Sequence, residues 1–256
     1  MTTQVKDSWL GLDGASVLVA GAGGIGRACV AGYLDAGARV TVMDRDEESL
    51  LELKQSAAAP ERLETLQVDL TDERAAQSAV SRTIEQQGGL DVAFHCIGVN
   101  DRRPILDFTP DEWSRILEIN LSTAFVLLQA AGRHMVVQGS GRVLAMSSVA
   151  SYLAHAHHGP YAASKAGMNQ LLKTMAREWA PHGVTVNGIA PGYIKTDLTA
   201  DYLARGDNEK TLTALVPSQR LGTPDEVVGT ALFLSSKQSS FVTGQILYVD
   251  GGRTLV

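Results

Sequence analysis

The chain has 256 residues, of which 45% are hydrophobic and 20% charged, and its net charge is −6. That size and mix fit one large α/β domain over residues 1–256, and the interspersed charges, with no basic run or basic–aromatic patch, exclude the usual nucleic-acid-binding surface. No apolar run reaches membrane-spanning length, and the opening MTTQVKDSWLGLDG lacks the apolar core of a secretory signal, so a cytoplasmic protein without a membrane partner is expected.

Short apolar, β-branched runs alternate with longer amphipathic stretches along the chain. The first strand, at 16–20, leads into Gly21-Ala22-Gly23-Gly24-Ile25-Gly26 and a helix over 25–36. This is a G-x-G-x-x-G pattern in the strand-to-helix setting that gives it meaning. Small residues let backbone approach a pyrophosphate, and the helix start offers free N–H groups and a positive dipole end.

The second strand, 39–43, ends at Asp44, and a helix follows at 47–57. A carboxylate at Asp44 can accept both ribose hydroxyls of an adenosine and repels a 2′-phosphate, which favours NAD. Arg45 tempers this, because a guanidinium can hold that phosphate, so NADP stays as the alternative cofactor. The third strand, 63–68, ends at Asp69, which is placed to meet an adenine amino group or to cap the helix at 72–86.

A fourth strand at 92–96, a long helix at 110–137, a fifth strand at 142–146 and a helix at 161–180 follow. The sixth strand is 185–189, the last helix 224–235 and the last strand 245–249. The stretch 191–220 is polar and glycine-containing and reads as irregular, a length typical of functional lids. Strands separated by helices specify a doubly wound Rossmann fold, a parallel seven-stranded sheet with helices on both faces.

Tyr161 and Lys165 are four residues apart and so share one helix face, with Ser148 upstream. An ammonium beside a phenol is expected to lower the tyrosine pKa from about 10 toward neutrality, which makes Tyr161 a usable acid or base. Ser148 can polarise a carbonyl oxygen that shares the same proton. Cys29 and Cys96 read as buried free thiols of a reducing compartment. No cysteine–histidine cluster has metal spacing, and no metal is expected.

Taken in order, the glycine loop, Asn120, Ser148, Tyr161-x-x-x-Lys165, Pro191-Gly192 with Thr196, and Val249-Asp250-Gly251-Gly252 resemble the short-chain dehydrogenase/reductase family over essentially the whole chain. The resemblance implies an NAD(P)-dependent oxidoreductase that interconverts a secondary alcohol and a ketone. It makes Tyr161 the acid/base and Lys165 the group that lowers its pKa and holds the nicotinamide ribose. It makes Ser148 the residue that orients the substrate oxygen, and Asn120 the anchor of a water in a proton relay through Lys165. The serine 13 residues before the tyrosine is Ser148, which selects it over Ser147. Cofactor contacts are implied at Gly21, Gly23, Gly24, Ile25, Gly26, Asp44, Arg45, Asp69, Leu70, Cys96, Gly98, Tyr161, Lys165, Pro191, Gly192, Ile194 and Thr196. A homotetramer is implied too, with Asp250-Gly251-Gly252 at a subunit interface.

The sequence departs from the family pattern at two places. The loop, which in the family begins Thr-Gly, either has Ala20 in place of its first glycine or is one residue short. The family's Asn-Asn-Ala-Gly at the fourth strand is His95-Cys96-Ile97-Gly98 here, and the two losses are expected to face each other.

Within the family, the segments Asp101-Arg102-Arg103-Pro104, Arg133-His134-Met135-Val136, Asn187 to Thr196 and Phe233 to Lys237 are similar to gluconate 5-dehydrogenases and related sugar-acid or polyol dehydrogenases. Arg102 and Arg103 follow the fourth strand at the sheet's carboxyl edge, and their planar forks suit a substrate carboxylate. Tyr152, His155 and His158 lie between Ser148 and Tyr161 and suit hydroxyl recognition. A 3-oxoacyl-acyl-carrier-protein reductase shares much of this pattern and stands as the rival. A non-catalytic cofactor sensor on the same fold is the other rival, opposed by the presence of all four of Asn120, Ser148, Tyr161 and Lys165.

Overall fold

The computed structural model describes residues 9–256, and the first part of the opening segment, 1–8, lies outside the described residues. Seven parallel strands stand in the order β3-β2-β1-β4-β5-β6-β7. They are β1 (Ser16–Ala20), β2 (Arg39–Asp44), β3 (Leu63–Gln67), β4 (Val92–His95), β5 (Gly141–Met146), β6 (Val184–Pro191) and β7 (Ile246–Val249). The order reverses between β1 and β4, and that switch point opens a crevice at the carboxyl edge. β1, β4 and β6 are buried along their whole length, so their continuous apolar runs face helices on both sides.

Two cores flank the sheet. On one face α1 (Gly24–Asp35) packs against α9 (Asp225–Ser235), over Val19, Val42, Phe94 and Ile189. On the other, α3 (Glu73–Gln87), α5 (Thr123–Gln138) and α6 (Gly159–Trp179) cover Leu18, Ala93, Val143 and Val186. Helix starts carry their own signals. Asp46 caps α2 (Glu47–Ser56) by accepting from the Glu48 N–H, and Asp72 caps α3 by accepting from Arg74 and Ala75. Thr109 and Glu112 form a reciprocal capping box on α4 (Pro110–Leu117).

Two expectations change. The helix expected over 110–137 is interrupted. Between α4 and α5 the residues Glu118–Ser122 form a π turn, in which the Thr123 N–H reaches the Glu118 carbonyl. The stretch 191–220 is not irregular: it contains α7 (Asp197–Leu203) and α8 (Asn208–Ala214). At the start of α7 the Thr196 N–H donates to Thr199 Oγ1 at 2.9 Å, and Lys195 pairs with Glu209 at 2.5 Å to tie the two helices' ends together. Short amphipathic turns of this kind take their stability from packing, which is why the local pattern understates them.

Candidate active site

Two cavities meet at the carboxyl edge, and both are lined by Ser148 and Tyr161. The larger, about 370 Å³, runs over the glycine loop and past Asp44, Arg45, Asp69 and Leu70 to Cys96, Gly98, Lys165, Pro191, Gly192, Ile194 and Thr196. The smaller, about 80 Å³, is walled by Asn100, Arg102, His155 and His158 and by apolar residues of the α7–α8 segment.

The larger cleft fits a dinucleotide. Gly23 caps α1 without any side-chain hydrogen bond, so the first-turn N–H groups face the cleft uncovered. A Cβ on Gly26 would sit 2.2 Å from the Gly21 carbonyl oxygen, and Gly21 itself turns at φ +115. Ala20 remains in β1, opposite His95 of β4. Gly21 is thus the first glycine and the loop is the shorter of the two forms. The two departures from the family pattern do face each other.

Asp44 is held rigidly at the end of β2. Its Oδ2 accepts the Ala22 N–H at 2.8 Å and its Oδ1 accepts the Asp46 N–H at 3.0 Å. Two amides thus fix the position of this carboxylate on the wall of the cleft. Asp69 is half committed: one oxygen accepts from the Thr71 amide and hydroxyl, which also holds its carboxyl below the usual range. The cap of α3 is Asp72, not Asp69. Thr71, Ile97 and Val99 also line this cleft, and no local signal marks them in the sequence.

Ser148 faces the junction and Ser147 does not. The Ser147 hydroxyl is buried and donates to Asn169 at 2.6 Å. Lys165 is buried, its ammonium donating to the Met146 carbonyl at 2.7 Å and lying 5.8 Å from the centre of the Tyr161 ring. This arrangement corrects one expectation. Burial raises the Tyr161 pKa above its ordinary value, and the Ser148 hydrogen bond and Arg102 pull it back; Lys165 is not among the groups that shift it. Desolvation instead lowers Lys165 itself to about 8.

Asn120 is buried in the π turn and binds main chain rather than its own helix. Its Oδ1 accepts the Val99 N–H at 2.8 Å. Its Nδ2 donates to the Val99 carbonyl at 2.9 Å and to Ser164 Oγ at 3.1 Å. It therefore stitches the chain after β4 to the helix that carries Lys165.

The substrate side separates the two arginines. Arg103 pairs through Nη2 with both Asp101 at 2.8 Å and Glu112 at 2.6 Å and lies over the Phe108 ring; its Nε is buried without a partner, but it lines neither cavity, which removes it from the expected carboxylate role. Arg102 stacks on the Tyr202 ring of α7 at 3.8 Å, and its Nη1 is buried without a partner. Asn100 Oδ1 is likewise buried and unpartnered in the same cavity, a residue the sequence reading missed. Its signal was its place two residues before Arg102 in the segment that follows β4. Tyr152 is 69% exposed and leans on Tyr248, away from the cavity, so its expected pocket role is corrected too. His155 and His158 contact each other edge to face at 5.5 Å. Desolvation lowers both, His155 to about 4, so both imidazoles are neutral at pH 7.

A family model described as enoyl-(acyl carrier protein) reductase matches residues 19–254. Gluconate 5-dehydrogenase from Gluconobacter oxydans (strain 621H) is 38% identical over 247 residues, covering 95% of this chain and 96% of that protein. 5-Keto-D-gluconate 5-reductase from Escherichia coli (strain K12) is 35% identical over 250 residues, covering 94% and 96%. The crystal structure of a gluconate 5-dehydrogenase from Burkholderia cenocepacia J2315, in complex with NADP and tartrate, superposes with a TM-score of 0.90 at 34% identity and covers 95% and 96%.

Proposed function

The chain belongs to the short-chain dehydrogenase/reductase family and is an oxidoreductase of alcohols and ketones, and from that premise we propose that it interconverts a secondary alcohol and a ketone on a sugar acid. One observation carries the substrate class. Arg102 is half-buried, and its Nη1 is buried without a partner in the cavity that Ser148 and Tyr161 also line. A cation with a buried, unpartnered N–H and no counter-ion favours an anionic ligand, and its fork matches a carboxylate. His155, His158 and Asn100 supply neutral polar partners for hydroxyls.

In this reading the larger cleft holds the dinucleotide from Asp44 to Thr196, and Asp44 selects NAD over NADP. A nicotinamide held there would supply the hydride acceptor or donor for the substrate carbon. The residues of this chain handle the proton. Ser148 Oγ fixes the substrate oxygen. In ketone reduction Tyr161 donates its phenol proton to the carbonyl oxygen. In oxidation it first loses that proton and then takes the substrate's as the phenolate, a charge that Ser148 and Arg102 favour, with Lys165 5.8 Å from the ring centre. Asn120 fixes the Val99 turn and Ser164, and so the ground on which Lys165 stands. The chain works as one unit over 1–256, with α7 and α8 as the substrate segment.

We further read it as a cytoplasmic homotetramer. β7 is an edge strand, and Phe241, Tyr248, Leu255 and Val256 near it are exposed apolar side chains for a second copy to cover.

The test is a panel of sugar acids, matched neutral polyols and acetoacetyl thioesters with NAD and with NADP, read by reduced-nicotinamide absorbance. Turnover of sugar acids with NAD at higher kcat/KM than the matched polyols supports the reading. Turnover confined to acyl thioesters assigns the acyl-reductase function instead, and cofactor binding without turnover on any member assigns a sensor.

A further inference from the structure

The π turn that holds Asn120 has a lock of its own. In an α-helix the Thr123 N–H would bond to the Ile119 carbonyl, but here it reaches Glu118. The Ile119 carbonyl, freed from its helical donor, is taken instead by the Thr123 hydroxyl at 2.6 Å. A hydroxyl has one proton, so this bond leaves Thr123 Oγ1 only as an acceptor toward other groups. Its other neighbour is His95 Nε2 at 2.9 Å. Nε2 must then carry the ring proton, and Nδ1 must be bare. His95 Nδ1 is in fact buried with no partner, and the whole side chain is inaccessible. Burial also pushes the imidazole down to about 3, which keeps it neutral and single-protonated at working pH.

His95 has this freedom because of where it stands. Its strand partner in register is Ala20, which offers no hydroxyl across the β1–β4 seam. The longer imidazole reaches past that seam to α5.

We infer that His95 and Thr123 lock the π turn and thereby position Asn120, which makes both of them positioning residues for the proton path. The inference rests on the assignment of Asn120 to that path. The lock fixes the Ile119 carbonyl, the next residue is Asn120, and Asn120 in turn grips Val99 and Ser164.

Two measurements test it. On the cofactor-free protein, ¹⁵N shifts of the His95 ring are expected to report protonated Nε2 and bare Nδ1 throughout pH 5–8; the opposite tautomer overturns the lock. In kinetics, Thr123→Val is expected to lower kcat about tenfold and to displace the kcat–pH profile. Cofactor KM should stay within about twofold, and Thr123→Ser should restore the parental rate. His95→Leu breaks the same lock from the strand side and is expected to match Thr123→Val. In an Asn120→Ala background, Thr123→Val is expected to add less than about a twofold further loss. A full multiplicative loss there would mean that Thr123 acts without Asn120, and the positioning role fails. If Asn120→Ala alone keeps parental kcat, the assignment of Asn120 fails and the kinetic role of the lock fails with it, whatever the tautomer; if Asn120→Ala is impaired but Thr123→Val is not, the lock alone fails.

Discussion

Arg102 lies 3.8 Å from the centre of the Tyr202 ring, so a loop after β4 is braced by a helix that the chain reaches only after β6. The face of the ring holds the cation without neutralising it, which leaves Nη1 buried and free for a ligand. Under the proposed function, recognition of an anionic substrate is thereby tied to the packing of α7.

Tyr202→Ala is expected to raise KM for a sugar acid by about three- to thirtyfold, the range of a cation–π contact, with little change for a neutral polyol. Tyr202→Phe keeps the ring face and is expected to behave as the parent. Equal losses on acid and polyol would assign Tyr202 to general packing of α7 instead.

Arg103→Ala is expected to leave KM for the acid within about twofold, because Arg103 already holds Asp101 and Glu112 through Nη2 and does not line the substrate-side cavity. Arg102→Ala is expected to raise that KM by at least about tenfold. Steady-state kinetics on the two variants decides between the neighbouring arginines; the reverse ranking would exchange their roles.

Asp44→Ser removes the charge at the end of β2 and keeps a hydroxyl near the Ala22 amide. The ratio of NADP to NAD in kcat/KM is expected to rise by about tenfold or more. Direct titration of both cofactors would check that the shift lies in binding; an unchanged ratio would transfer the selectivity to Arg45 or another residue of the cleft.

His95 sets an acid limit on stability. An unfolded imidazole titrates near 6.5, whereas the folded one is pushed down to about 3. Between those values the unfolded state binds a proton that the native state refuses, so stability falls as pH falls. The expected slope from this one group is about 1.4 kcal/mol per pH unit. His155, held at about 4, adds to the slope over the upper part of that window. Denaturant unfolding of the parent and of His95→Leu between pH 7 and 4 should show a shallower fall in the variant. Parallel curves would show that His95 is not the group that refuses the proton.

The sequence by itself determined the alternation of strands and helices, the glycine turn after β1, Asp44 at the end of β2, and the grouping of Ser148, Tyr161 and Lys165. Each of these is written in local terms, as periodicity, a turn residue or a spacing along one helix, and local terms survive without knowledge of distant neighbours. Tertiary structure decided the rest. Arg103 looks as good as Arg102 until Glu112 folds back on it. Tyr152 looks like a pocket residue until it leans on β7. The Tyr161 pKa follows burial rather than the lysine one turn away, and burial is set by segments far from the helix. The π turn at Asn120 is set by Thr123 and by His95 from another strand. These outcomes depend on which groups lose water and which find partners, and both are fixed only when segments far apart in the chain come together.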